Sequence, residues 1–369
     1  MSMIRSVAGP LAMALAAFAG GGPASAGAGW SIKPTPDPAV VSLLSGVSCS
    51  SPDACMAVGA FQTSSGAYKT LAERWNSRRW VRQPTPNPPG LSPQLAAVSC
   101  PRATDCVAVG STGDGLRTLA ERWNGSMWKI QASGTGGAGW LTGVSCSSQS
   151  ACTAVGFTGF DGALAERWNG TRWVVQHLRS PAGNSGLTGV SCPTRTDCMA
   201  VGYTATGGGT FAERWNGRRW VPQATKSPAG FSFLYGVSCS SPGACTATGY
   251  YQTGAGTDKT LAERWNGRNW KLQATPRSTT GNAVDLAGVS CARASDCTAT
   301  GYYFTRQGQR VLAEHWNGHA WAVQRTPNPK GTFTSQLNGV SCPSPTNCEA
   351  AGSYMISFSQ KTLAERYHA

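Results

Sequence analysis

Apolar residues in this chain come in short runs, each broken by glycine or a polar cluster, and the runs recur in sets of four. The first set reads Leu44-Ser45-Gly46-Val47-Ser48-Cys49, Cys55-Met56-Ala57-Val58-Gly59, Thr70-Leu71-Ala72-Glu73-Arg74-Trp75 and Trp80-Val81-Arg82-Gln83. Runs of this length, rich in β-branched and aromatic residues and bounded by turn formers, predict strands. Asn-Gly between the third and fourth runs, as at Asn124-Gly125, marks a tight hairpin because both residues tolerate positive φ. Such a turn makes Trp75 and Trp80 cross-strand neighbours on one face, a contact worth about 0.2–1 kcal/mol.

The same skeleton returns six more times. Successive sets place their first cysteine 51, 46, 46, 47, 52 and 51 residues further on. A period near ~50 with four short strands per unit is the pattern of a propeller blade. The predicted fold class is therefore all-β, a seven-bladed β-propeller of four-stranded blades, with residues 27–369 as one domain. The termini add to this. Residues Thr362 to Ala369 form a third run with no fourth after it, and Trp30-Ser31-Ile32-Lys33-Pro34-Thr35-Pro36 matches the spacing of Trp80 to Pro86 with no third run before it. A ring closed by the N-terminal strand uses both fragments in one blade and leaves no free sheet edge.

The cysteines and the N-terminus point to export. All 14 cysteines fall into seven pairs with five residues between partners: Cys49/Cys55, Cys100/Cys106, Cys146/Cys152, Cys192/Cys198, Cys239/Cys245, Cys291/Cys297 and Cys342/Cys348. An even, regularly spaced set reads as one disulfide per blade across the first hairpin. Zinc would need further ligands, and His177, His315, His319 and His368 do not recur with the cysteines. Arg5, the apolar stretch from Val7 to about Ala19 and the small residues Pro23-Ala24-Ser25-Ala26 predict a signal peptide over residues 1–26, cleaved after Ala26. The expected product is secreted and extracellular, without membrane insertion, and monomeric.

The Ala-Val-Gly, Glu-x-Trp and Trp elements of each unit resemble the kelch repeats of galactose-oxidase-like propellers, over residues 30–369. The paired cysteines are foreign to that pattern. With Cys-x5-Cys and Ala-Glu-Arg-Trp-Asn-Gly, the unit is more similar to a group of secreted actinobacterial repeat proteins of unknown function. The resemblance implies a propeller but not the copper chemistry of galactose oxidase, which needs histidine ligands and a Tyr–Cys crosslink.

The recurrent polar residues read as structural. Glu73, Glu121, Glu166, Glu213, Glu263, Glu314 and Glu365 occupy equivalent sites on the third strand, away from the axis, where they cannot converge on one substrate. Seven equivalent acids also lack the contrast in environment that acid–base catalysis needs. Arg74, Arg122, Arg167, Arg214, Arg264 and Arg366 follow them, with His315 in the sixth unit. Neighbouring strand residues face opposite sides, so a glutamate of one blade and an arginine of the next are expected to form buried ion pairs. The recurrent tryptophans read as packing between blades. No calcium loop, nucleophile elbow or phosphate loop is present, and no cofactor is implied.

Charge and loop length supply the functional reading. The formal net charge is +14, and seven of the 17 acids are the third-strand glutamates, so the basic excess lies in loops and strand edges, including Arg78, Arg79, Arg218, Arg219, Arg325 and Lys330. A basic exported surface suits an extracellular glycan or other polyanion, or a protein partner in a secreted assembly. Loops 1–2 and 3–4 share one face of the disc and keep constant length. Loops 2–3 and 4–1 share the other and vary: 11 residues separate Gly59 from Leu71, but 7 separate Gly156 from Leu164. The variable loops hold Phe61, Tyr68, Phe160 and Tyr203, and most densely Tyr250, Tyr251, Tyr302, Tyr303, Phe304, Arg306 and Arg310. A rigid scaffold with one variable face is the layout of a binding surface, so Tyr250, Tyr251, Tyr302, Tyr303, Arg306 and Arg310 are the expected ligand residues. The sequence thus describes a binding module; the alternative is a secreted hydrolase or lyase acting on polysaccharide through unrepeated loop residues.

Overall fold

The computed structural model describes residues 28–369 apart from 89–91, 114–116, 135–138, 160–161, 180–184, 205–207, 229 and 277–282. Residues 1–26, expected to be a signal peptide, and Phe160 lie outside the described residues. Seven four-stranded antiparallel sheets make up the fold. Blade one runs Ser42–Ser51, Ala54–Gln62, Tyr68–Trp75 and Trp80–Gln83, from inner to outer strand. The inner strands of successive blades touch one another around a full circle, and blade seven touches blade one. Blade seven consists of Thr334–Ser344, Asn347–Ile356 and Ser359–His368, with Gly29–Lys33 as its outer strand. Trp30 opposes Tyr367 and Lys33 opposes Ala364, so the ring closes as the terminal motifs predict.

The core lies between blades. One wedge joins Met56, Val58 and Ala72 of blade one to Leu95, Leu119, Trp123 and Trp128 of blade two. Another joins Ala351 and Ala364 of blade seven to Leu44, Leu71, Trp75 and Trp80 of blade one. The glycine in the later half of each second strand is required by a close approach: a Cβ at Gly59 would sit 2.0 Å from the Leu43 carbonyl oxygen, and one at Gly156 1.8 Å from that of Trp140.

All seven cysteine pairs are bonded, one per blade: Cys49–Cys55, Cys100–Cys106, Cys146–Cys152, Cys192–Cys198, Cys239–Cys245, Cys291–Cys297 and Cys342–Cys348. Spacing alone reads them as staples of a hairpin; the structure also makes them part of the core. The second member of each pair, Cys55, Cys106, Cys152, Cys198, Cys245, Cys297 or Cys348, is at most 4% exposed and packs in the wedge against the preceding blade. Hydroxyls of that preceding blade reach three of these sulfurs at 3.6 Å, Thr153 to Cys198, Thr246 to Cys297 and Thr298 to Cys348. These seven sulfurs are thus buried parts of the inter-blade core.

A second closed circuit follows from the serine before each first cysteine. The Ser48 hydroxyl accepts the Cys100 amide of the next blade at 2.9 Å, and the same bond joins Ser99 to Cys146, Ser145 to Cys192 and Ser191 to Cys239. It continues from Ser238 to Cys291 and Ser290 to Cys342, and Ser341 returns it to Cys49. Removing one acceptor strands a backbone N–H inside the ring, at a cost of about 1–3 kcal/mol. Ser191→Ala and Ser290→Ala should therefore lower stability by similar amounts in denaturant unfolding; unchanged midpoints would show that these bonds contribute nothing.

The third-strand glutamates are all buried, at 2% exposure or less, but among the described residues none pairs with an arginine. The two side chains share each interface and diverge within it. Arginines run toward the 1–2/3–4 face: Arg122, Arg167, Arg264 and Arg366 lie over Trp168, Trp215, Trp316 and Trp75 of the next blade. Arg122 and Arg214 pair with Asp105 and Asp197 of their own blades, and Arg366 pairs with Glu349. In blade six, Nδ1 of His315 is buried with no hydrogen-bond partner among the described residues.

The glutamates reach instead for the linker leaving the preceding blade. Glu166 accepts the Gly134 amide at 2.9 Å and the Ser133 hydroxyl, Glu213 the Arg179 amide at 2.8 Å, and Glu263 the Lys226 amide at 2.8 Å. Each donor stands six residues after the preceding blade's outer tryptophan. At the other four interfaces that position is proline: Pro36, Pro86, Pro276 and Pro327. Proline has no N–H to give. Glu73 and Glu365 accordingly have no hydrogen bond to either oxygen among the described residues, while Glu121 and Glu314 have a threonine beside them, Thr70 and Thr260.

Candidate functional site

Two residues of each blade meet at the axial end of the variable face: the one before the inner-strand leucine and the one after the second-strand glycine. Strand pairing sets them opposite each other. In blades seven, one and two the pairs are Gln336/Ser353, Leu43/Ala60 and Gln94/Ser111. In blades three to six they are Trp140/Phe157, Gly186/Tyr203, Phe233/Tyr250 and Asp285/Tyr302. Three blades therefore carry no aromatic residue here, and the other four form an aromatic arc.

The arc is continuous across a blade boundary. Gly186 leaves room for the Tyr203 ring, which would lie 3.0 Å from a Cβ there. That ring reaches Phe233 of blade five, centroids 5.0 Å apart. Phe233 stacks on Tyr250 at 5.3 Å with planes 6° apart, and Tyr235 stacks on Tyr250 at 6.0 Å. Trp140 and Phe157 meet at 5.3 Å in blade three, and Trp140 is 37% exposed. Tyr302 meets Phe304 edge-on at 5.8 Å in blade six.

Asp285 supplies the acid of this arc. It is 8% exposed, and burial, with the nearby Asp258 charge, pushes its carboxyl up to about 7 against the opposing Leu286 amide. Burial, and then the Asp285 and Asp258 charges, also raise the phenols of Tyr235, Tyr250 and Tyr302. The site thus offers aromatic faces, hydroxyls that stay protonated well above neutrality, and one or two carboxyls. That chemistry suits a neutral polyhydroxylated ligand and disfavours an anion.

The expected ligand residues divide. Tyr250 and Tyr302 join the arc. Tyr251 and Tyr303, one residue on and hence on the opposite sheet face, pack into the wedges between blades four and five and between five and six. Tyr251 also lines a cavity of about 580 Å³ with Asp258, Lys259 and Thr275. Arg306 is exposed at a loop tip. Arg310 braces its own loop, donating to the carbonyls of Gln309 at 3.1 Å and Thr332 at 3.2 Å. Sequence reasoning passed over Trp140, Phe157, Phe233, Tyr235 and Asp285. Their signal was present: Tyr235 stands where other blades carry Ser45, Ala96, Thr142, Thr188, Ala287 or Asn338.

No family model and no curated protein matches the chain. Solved structures do. YCF48 bound to D1 peptide is 13% identical, with 92% of this chain and 95% of that one covered and a TM-score of 0.59. The GH74 xyloglucanase from Xanthomonas campestris is 13% identical, covering 91% of this chain and 55% of its own, at 0.55. Sqt1 from Chaetomium thermophilum, bound to the N-terminus of the ribosomal protein L10, is 11% identical over 90% of this chain and 89% of its own, at 0.52. What they share is the fold. At these identities neither the kelch pattern nor the actinobacterial repeat group gains support.

Proposed function

We propose that this propeller is a secreted binding module that recognises a neutral glycan at the aromatic arc of blades three to six. The observation that carries this reading is the asymmetry of the paired positions on the two inner strands: seven blades with one skeleton carry aromatic residues there in blades three to six and none in blades seven, one and two. Aromatic faces stack on sugar rings, and tyrosine hydroxyls with Asp285 give directed hydrogen bonds. The fold accommodates such a role, since structures of similar shape include YCF48 bound to D1 peptide and Sqt1 bound to the L10 N-terminus. Among the described residues, no helix is long and apolar enough to cross a membrane.

The test is binding to a panel of immobilised neutral oligosaccharides. Tyr250→Ala and Trp140→Ala should each weaken the strongest interaction on the order of tenfold or more, as truncation of a central aromatic anchor does. Arg306→Ala, at the loop tip, should leave it unchanged. Equal affinity across all variants, with thermal melting unaltered, would remove the arc from the site. A hydrolase reading rests on Asp285, whose carboxyl retains its proton near neutrality and has the character of a general acid. Turnover of the same oligosaccharides, abolished by Asp285→Asn, would favour it.

A further inference from the structure

The opposite face of the disc has a different chemistry. Each third–fourth hairpin there is pinned by its asparagine. Oδ1 of Asn76 accepts the Arg78 and Arg79 amides at 3.2 and 2.9 Å, and Asn216 does the same for Arg218 and Arg219 at 3.1 and 3.0 Å. Asn169 and Asn266 hold Arg172 and Arg268 likewise. The pinned positions point into solvent, and all six arginines are exposed. The first–second loops add exposed Arg102, Arg195 and Arg293, so blades one to six each contribute at least one cation.

Acids do not balance them. On this face Asp53 is exposed, Asp105 and Asp197 are tied to Arg122 and Arg214, and Asp296 is half-buried. Nor does the face offer aromatic platforms. The hairpin tryptophans of blades one, two and five, Trp75, Trp80, Trp123, Trp128, Trp265 and Trp270, are at most 5% exposed. Trp168, Trp215 and Trp316 each lie under an arginine.

We propose that this face binds a flexible linear polyanion, a polymer bearing one oxyanion per unit, laid along the ring of arginines. Guanidinium groups fork onto carboxylate, sulfate or phosphate with paired hydrogen bonds. The cations follow the circumference of a round face, which a flexible chain can track. A DNA duplex, with a persistence length of about 50 nm, cannot. Single-stranded nucleic acid gains its affinity from bases stacked on exposed rings, and this face has them covered. The surface is separate from the aromatic arc, which lies on the variable face of the disc.

The test uses the disulfide-intact protein with polygalacturonate, dextran sulfate and inorganic polyphosphate as probes, neutral dextran and a short DNA duplex as controls. At least one flexible polyanion should bind, and its affinity should fall steeply between about 50 and 200 mM salt; which one binds best names the oxyanion. The combined variant Arg78→Ser, Arg79→Ser, Arg218→Ser and Arg219→Ser should weaken it on the order of tenfold or more while melting like the parent, because all four side chains are exposed. Tyr250→Ala should leave it unchanged, which separates this surface from the proposed glycan site. Neutral dextran or duplex binding as tightly as every polyanion, or full affinity in the fourfold variant, would overturn the proposal.

Discussion

Raising the pH from about 6 to 9 should melt this ring at progressively lower temperature. The largest share comes from the four glutamates opposite prolines, whose carboxyls are displaced furthest. Burial pushes the carboxyl of Glu73 up to about 9, with Asp37 adding to the shift, and those of Glu121, Glu314 and Glu365 up to about 8. Unfolded, each returns to an ordinary value near 4.5. A group with a raised folded value contributes its full stability below the unfolded value, and that stability is lost as pH climbs through the folded one. Between about pH 5 and 8 the folded chain holds protons that the unfolded chain has released, so each such group lowers stability by about 1.4 kcal/mol per pH unit. Glu365→Gln keeps the shape of the protonated acid and should flatten the profile. Pro86→Ala provides an N–H for Glu121 and should do the same at that interface. Calorimetric melts across this range are the measurement, and a melting temperature that holds or rises toward pH 9 would refute the account.

Deleting residues 28–36 should be still more damaging. Five residue pairs of the outer strand of blade seven would be lost. Trp30, 8% exposed, meets Tyr367 at 5.6 Å and donates to Gln324 at 2.9 Å across to blade six. Asp37 beyond it accepts the Thr362 amide at 2.9 Å. Loss of the buried tryptophan alone costs about 3–5 kcal/mol, and the bared strand offers an unpaired edge to other molecules. The truncated chain should melt far below the parent and elute as aggregates in size-exclusion chromatography. A monomer with parental stability would mean that the ring does not depend on its closure.

Repetition made much of the fold legible. Seven copies of Cys-x5-Cys gave the disulfides, and the fragments around Trp30 and Tyr367 gave the closing blade, because both follow from spacing along the chain. That Cys106, Cys198 and their equivalents also fill the wedges was not legible, since spacing says nothing of what lies above a hairpin. The fate of the glutamates was hidden for a similar reason: it depends on which atoms of the next blade a side chain reaches. Pro36, Pro86, Pro276 and Pro327 stood in the sequence, but nothing marked them as facing a carboxylate until the interfaces were seen. The tyrosines show a related limit. A period of two says that Tyr250 and Tyr251 face opposite sides, yet only the ring's geometry says which one looks toward the axis. The aromatic arc was missed because its members are unlike one another, and the eye for repeats passes over the positions where the repeats differ.

The circuit of serine hydroxyls has neither start nor finish. Every blade gives the next the same bond, including the blade that joins Gly29–Lys33 to Ser359–His368, so the circuit does not distinguish that blade from the other six. The chain ends are a cut in an object that is cyclic in its bonding. Joining residue 369 to residue 28 through a short linker and reopening the chain in an exposed loop such as that around Ser64 and Ser65 would move the cut to blade one. The strand order in space would be unaltered, and Tyr68–Trp75 would then become part of the blade that is sewn shut last.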